Sequence, residues 1–388
     1  MLKKREAIII GAGLAGATVA NILAKKNYKV TIYEKNNFIG GNCFDYYKKN
    51  ILIHKYGPHI FHTNKKKIYD FVCKYTKLNN FINKVYVRHK NLLFPLPINF
   101  TSIKIIAKDN ADYIIQKLKK KFSKTKLITL SQLKQINDAK IKKFYRFIFQ
   151  NVYANYTAKM WGVKFDKVDP KTINRVKIIL GNEHNYFPQD KYQGLPISTY
   201  TQMITRMLKH KNIKINLKTD GKKILKFDFK NKKIYLNKLE FNGLIFYCGS
   251  LDELVNYKFG ILPYRSLKIQ FLFLKKKKFQ QSAIINYPSH PKMTRICEYK
   301  QMTRQKNINN TIVSKEYPKS FILSNKQCNH RFYPIINKKN LAKYNQYLKL
   351  FKIFPNFYPL GRLGLYKYFD MDDTIEYAMK LANSFHRR

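Results

Sequence analysis

The sequence predicts an α/β protein in which a βαβ-based domain is interrupted by an inserted helical domain and by an antiparallel β-sheet domain. Three observations predict it. A strand, glycine turn, helix, strand pattern opens the chain over 7–34; helical spacing with few glycines or prolines fills 100–162; and short alternating strands run over 258–336.

The opening unit carries the most specific signal. Ala7 to Ile10 is a short apolar strand, GAGLAG (Gly11 to Gly16) is a turn that opens a helix to about Lys26, and Val30 to Tyr33 is a second strand ending at Glu34. The uncharged run Ala7 to Ala24 after a basic start resembles a signal peptide, but three glycines with Thr18 and Asn21 make it a poor membrane helix. In GAGLAG the first glycine permits the tight turn, the second lets the backbone approach a pyrophosphate, and the third packs the helix on the strand. Phosphates then meet the free N–H groups of a helix N-terminus, and Glu34 accepts ribose hydroxyls. These features define a Rossmann-like dinucleotide site. In YEKNNFIGGN, an acidic strand end followed six residues later by Gly-Gly resembles the FAD-binding fold of amine-oxidase-like flavoproteins, so FAD is the expected cofactor.

Further along, IYDFVCKY suggests a helix over 66–77 and NKVYVRHKNLLFPLP a hairpin around His89 to Asn91. The aromatic stripe Phe144, Phe147, Phe149 and Tyr153 marks the core of the inserted helices. After Trp161-Gly162 comes a polar, turn-forming stretch long enough to be functional or mobile, then NYFPQDKYQGLP. A helix at 200–210 and strands at 213–217 and 244–247 return to the first domain, and a helix at 373–385 closes the chain. The expected FAD-binding α/β domain is thus 1–77, 195–257 and 337–388. The helical domain is 100–170, with the start of a mobile loop at 163–185, and the sheet domain is 78–99, 171–194 and 258–336.

With 76 Lys and Arg against 22 Asp and Glu, the formal charge is +54. Such an excess ordinarily points to a polyanionic partner. Here the lysines are spread over almost every segment, as in KKKF and NKKN, so compositional bias explains them better than a nucleic-acid or membrane face. Cys43, Cys73, Cys248, Cys297 and Cys328 form no CxxC pair, which fits a reducing, cytoplasmic setting rather than a disulfide framework or zinc site.

The segment HKYGPHIFH gathers His54, His59 and His62, three of nine histidines. Spacing alone leaves a metal site, an acid/base centre and a plain loop open. No carboxylate or cysteine stands at ligand spacing and Gly57-Pro58 breaks any regular element, so no metal is expected. Coming after the glycine turns, the segment becomes a loop laid along the cofactor. His59 then contacts the cofactor, His62 tunes its reactive edge by hydrogen bonding, and His54 is structural.

Taken with FPLP from Phe94, YTAKMWG from Tyr156, NYFPQDKYQGLP from Asn185, FGILPYRSLK from Phe259, TRICE from Thr294, KEYP from Lys315, FYP from Phe332 and GRLGLYKYFDM from Gly361, these motifs resemble the bacterial UDP-galactopyranose mutase family nearly end to end. The resemblance implies reversible ring contraction of UDP-galactopyranose to UDP-galactofuranose with no net redox change. N5 of reduced FAD would attack the anomeric carbon, expel UDP and form a covalent adduct with the sugar. It implies diphosphate-binding arginines at Arg175 and Arg295, the first on a loop that closes as a lid. Uridine contacts fall on Tyr156, Trp161 and Tyr186, with Asn83 and Thr157 nearby. Tyr333 and Tyr368 would hold the diphosphate, Asp370 would lie near the sugar, and Arg265 is a further active-site candidate. On the cofactor side it implies the glycine turn (Gly11, Gly13, Ala15, Gly16), Glu34, Lys35, Gly41, Asn42, His59, Ile60, Arg362 and Met371. Departures from the family at Ser198-Thr199, Cys248-Gly249-Ser250 and Leu360 touch loop geometry around the cofactor and remove no proposed catalytic residue.

Two rival readings share the sequence: a flavin-dependent oxidase or desaturase, and a basic nucleic-acid-binding protein that retains the flavin fold. Paired arginines and a tyrosine set suit a nucleotide sugar better than an apolar substrate. The expected partners are therefore the two UDP-sugars and a reductant that primes the flavin, with no specific nucleic acid and no transmembrane segment. Weak attraction to a membrane surface and a homodimer stay open.

Overall fold

The computed structural model describes residues 5–164, 174, 176–306 and 308–385. Strand β1 (Glu6–Ile10), helix α1 (Leu14–Lys25) and strand β2 (Lys29–Tyr33) form the predicted βαβ unit. Its strands sit in a five-stranded, all-parallel sheet: Ile213–Asn216 pairs with β2, while Leu244–Tyr247 and then Phe357–Pro359 extend the sheet beyond β1. Both faces are covered, which explains the uncharged start. Alternation sends Ala7 and Ile9 into one core, shared with α1 and helices Tyr200–Leu208 and Met371–Ser384, and Ile8 and Ile10 into another, shared with helix Lys338–Phe351. The run Ala7 to Ala24 is therefore domain interior.

A seven-stranded sheet forms the second layer, in the order Tyr333–Pro334, Tyr264–Leu274, Thr311–Ser320, Arg295–Glu298, Ile284–Asn286, Val85–His89, Leu92–Leu96. It is antiparallel except where Ile284–Asn286 meets Val85–His89. The inserted helices share a hydrophobic core with this sheet; Phe144 and Tyr153 are buried in it, and Phe147 and Phe149 pack partly buried against it. Local sequence starts these helices: Asn99 with Ser102, and Thr129 with Gln132, form capping boxes, and Asp138 caps Ala139–Ile148.

The described part of 171–194, grouped with the antiparallel sheet from sequence, does not join it. Ile178–Ile179 pairs with Leu127–Ile128 of the helical region, and Tyr192–Gly194 pairs with Phe61–Thr63. Strands of two or three residues are too short to show a period. A three-stranded meander, Leu225–Asp228, Lys233–Leu236 and Leu239–Glu240, was hidden in the same way by its lysines. All five cysteines are free thiols. Among the described residues no helix is long and apolar enough to cross a membrane, and no His, Cys, Asp and Glu group could hold a metal.

Candidate active site

The glycine turn closes the carboxyl end of β1. Gly11 adopts φ +109° and a side chain at Gly16 would meet the Gly11 carbonyl at 2.1 Å, so the turn itself demands both glycines. Gly13 is different. A Cβ there would find only the backbone of Gly41, at 3.6 Å, and would point into an open cleft. The Gly40-Gly41 turn packs back to back with it through a Gly13–Gly40 bridge and a Gly40 N–H donated to Ala12 at 2.9 Å. Helix α1 starts at Gly13 with no side-chain cap and no acid in its first turn, leaving its N–H groups for an anion. Glu34, buried beside them, accepts from Ala12 N at 2.9 Å and from Asn36 N and Nδ2 at 2.9 and 2.7 Å. Lys35 stands at the exposed rim, Asn42 Oδ1 is 2.8 Å from His330 Nε2, and Gly361, at φ +72°, comes close to Ala15. A bare cradle, an uncapped helix start and a carboxylate one strand away fit a dinucleotide.

A second cavity continues from this cleft, sharing Tyr56, His59, Arg362, Asp370 and Met371 with it. Ile60 and His62 come from the histidine segment, and Tyr156, Thr157 and Trp161 from the seven-residue helix Asn155–Trp161. Tyr186, Asn83, Arg295, Tyr333 and Tyr368 complete the wall. Asn83 is buried and its Oδ1 has no partner among the described residues.

Two cations shape the field of this cavity. Arg295 Nε donates to Glu316 Oε2 at 2.7 Å; Glu316 is fully buried and its other oxygen has no partner among the described residues. Burial pulls the Arg295 pKa down, but the Glu316 carboxylate beside it more than offsets this and holds the guanidinium charged. Arg362 donates to the carbonyls of Phe332 and Phe369 at 3.2 and 2.6 Å and lies over the rings of Tyr333 and Tyr368, 5.2 and 5.1 Å from their centroids. Those two rings stack 5.8 Å apart, and Trp161 tilts against Tyr333 at 6.3 Å.

The histidines divide by their neighbours. Burial, then His54, then Arg362 and Arg295, push His59 down to about 3, so it is neutral; its Nδ1, 2.8 Å from the Gly57 carbonyl, carries the proton. His54 is pushed down to about 3 by burial and takes the His59 N–H on its Nδ1 at 3.0 Å. His62 instead places Nδ1 2.6 Å from Asp190 Oδ2 and stacks on Phe187 at 3.6 Å.

The chain matches the family described as UDP-galactopyranose mutase over residues 151–368, and an NAD(P)-binding Rossmann-like domain over 9–75. It is 37% identical over 382 residues to the UDP-galactopyranose mutase of Mycoplasma genitalium, covering 97% of this chain and 94% of that one. The protein of the same name from Mycoplasma pneumoniae is 36% identical over 384 residues, covering 98% and 96%. The chain belongs to the UDP-galactopyranose mutase family. A crystal structure of a reduced UDP-galactopyranose mutase superposes with a TM-score of 0.67 over 98% of this chain and 94% of that one at 14% identity, which matches the fold.

As a mutase the chain is an isomerase that acts on a UDP-sugar. Of the mutase residues expected from sequence, Arg265 lines neither cavity. It is buried, with Nε donating to the Met160 carbonyl at 2.7 Å, Nη2 to the Lys159 carbonyl at 3.0 Å and Nη1 to Ser320 Oγ at 3.0 Å. It therefore caps the helix that carries Tyr156 and Trp161. Arg175 lies outside the described residues, as does 165–173 of the expected lid; Val176, just beyond, lines the second cavity.

Sequence reading missed four side chains at this mutase site. Glu316 stands in KEYP, directly across the strand pair from Arg295. Tyr56 lies inside the histidine motif and stacks on His330 at 4.3 Å, and Asp190 lies inside NYFPQDKYQGLP. Each of these three was within a quoted motif; His330 had no signal. The Ser198-Thr199 departure is absorbed locally, because Thr199 caps helix Tyr200–Leu208 by accepting from Gln202 N at 2.9 Å.

Proposed function

We propose that this mutase binds FAD in the first cleft and the sugar nucleotide in the second cavity, interconverting UDP-galactopyranose and UDP-galactofuranose with the flavin reduced. The observation that carries the reading is the continuity of the two cavities at His59, Arg362, Asp370 and Met371. The FAD phosphates take the α1 N-terminus and the Gly13 and Gly41 cradle, and Glu34 takes a ribose. Bound and reduced, FAD supplies the nucleophile that displaces UDP from the anomeric carbon.

The remaining work belongs to the chain. Arg295, oriented by Glu316, and Arg175 hold the diphosphate and neutralise the charge that builds as UDP leaves. Tyr156, Thr157, Trp161 and Tyr186 enclose the uracil, and the unpaired Asn83 Oδ1 offers an acceptor to an N–H of the base. Tyr333 and Tyr368, braced by Arg362, contact the diphosphate, while Asp370 lies by the sugar and neutral His59 by the cofactor. The protein works in the cytoplasm, primed by a reductant and without specific nucleic acid.

Cofactor extraction tests the flavin half: FAD is expected, and a nicotinamide nucleotide alone would contradict it. Reductant accounting tests the isomerase half. One priming reduction should support many turnovers, whereas consumption in step with product would mark an oxidoreductase.

A further inference from the structure

The loop 185–191 folds back over His62 and holds its ring from two sides. His62 lies in the middle of Phe61–Thr63, paired across to Gln193. Phe187 stacks on one face at 3.6 Å and 12°, and Asp190 Oδ2 meets Nδ1 at 2.6 Å. The loop is itself fixed. Gln193 Nε2 donates to Asn185 Oδ1 at 2.9 Å and to the carbonyls of Phe187 and Asp190 at 3.4 Å, and Asp190 N donates to the Phe187 carbonyl at 3.0 Å.

An ionised carboxylate can only accept a hydrogen bond, so Asp190 requires Nδ1–H whether the imidazole is neutral or charged. The side chains are 15% and 12% exposed, which keeps water from competing for that bond. No described residue hydrogen-bonds Nε2, and His62 lines the second cavity. We propose that Asp190 is a positioning residue that confines every protonation change of His62 to Nε2, the ring atom available to ligand in the sugar cavity. This rests on the site reading above and deepens it.

The chemistry calls for such an atom. Exchanging a six-membered for a five-membered sugar ring returns a proton to the oxygen released from the old ring and removes one from the hydroxyl that closes the new one. An Nε2–H that hands its proton to the oxygen released on ring opening, and whose freed lone pair then takes the proton from the hydroxyl that closes the new ring, ends the cycle unchanged, and no ring flip intervenes. His59 cannot share this task, since burial first, and then His54, Arg362 and Arg295, keep it neutral. His62 faces Asp190 and, one residue along its strand, Asp372, which accepts from Thr63 Oγ at 2.9 Å.

The test combines histidine nitrogen NMR on the full-length holoenzyme, with His62 assigned by His62→Gln, and steady-state kinetics. In the unaltered protein the neutral ring should be the Nδ1–H tautomer. Asp190→Asn, which can also donate, should populate the Nε2–H tautomer and lower kcat on the order of tenfold or more, with KM and UDP affinity nearly unchanged. Asp190→Glu should recover part of kcat, and Phe187→Leu should broaden the His62 signals. An unchanged tautomer in Asp190→Asn, an unchanged kcat, or a loss confined to KM would overturn the proposal. The expected tautomers in a protein that converts no UDP-sugar would sink the mutase reading while leaving the Asp190–His62 assignment supported.

Discussion

Deleting the Arg295 side chain would remove the proposed diphosphate contact and leave Glu316 a buried carboxylate with neither oxygen paired among the described residues. Leaving one partner of a buried pair costs roughly 3–5 kcal/mol, whereas replacing both by apolar groups is often neutral. Arg295→Ala should therefore lose most turnover and melt well below the unaltered protein. Arg295→Leu with Glu316→Leu should regain the melting temperature without the activity; recovery of both would refute a catalytic role. Asn83 offers a finer probe. Its Oδ1 is unpaired among the described residues, so Asn83→Ala should leave stability intact but weaken UDP by the worth of one hydrogen bond, about 0.5–1.5 kcal/mol, or roughly 2–13-fold. Quenching of Trp161, the sole tryptophan, on UDP titration would read it. Equal affinity would remove the uracil from Asn83. At this scale the sequence was readable wherever a residue stood in a motif that also supplies its partner. Arg265 shows the failure: an arginine that braces an active-site helix is chemically indistinguishable, in one dimension, from an arginine inside the site.

Helix Asn155–Trp161 ends a continuous helical run that starts at Ala139 and passes through a π-helical stretch, Phe149–Ala154, and four of its side chains, Tyr156, Thr157, Met160 and Trp161, line the second cavity. Two cations fasten its last turn. Arg265 takes the carbonyls of Met160 and Lys159, and Lys159 Nζ donates to the carbonyls of Tyr287, His290 and Met293 at 2.8, 2.7 and 2.8 Å. Lys159→Met should shift Trp161 emission even without ligand and raise KM several-fold while FAD stays bound. Loss of FAD instead would mean that the helix supports the whole fold. The βαβ unit was readable from sequence to within a residue because burial on both faces writes a continuous apolar run and the glycines punctuate it. The short strands of 174–194 were not, since their pairing is decided by the helical domain and the histidine segment far away in sequence.

For the molecule as a whole, His54, His59 and His330 are each held down to about 3, with burial the largest cause. An unfolded histidine titrates near 6.5, so below that pH the unfolded chain binds more protons and stability falls as pH drops from about 6.5 toward 3. Well below 6.5, each such histidine contributes about 1.4 kcal/mol per pH unit. Asp45, Asp252 and Asp372, raised by burial, carry the opposite sign and soften the fall as the carboxylate range is reached. Melting temperature should thus drop steeply from pH 7 to pH 5, and FAD should be released over the same window because His59 and His330 line its cleft. A flat profile would mean these rings are hydrated. The formal +54 adds self-repulsion that moderate salt should relieve, with DNA binding vanishing at the same salt. What the whole molecule does is tested by incubating the dithionite-reduced protein with UDP-galactofuranose and following UDP-galactopyranose by chromatography. Catalytic conversion that requires the reduced flavin is predicted; bound, reduced FAD with no conversion would contradict it.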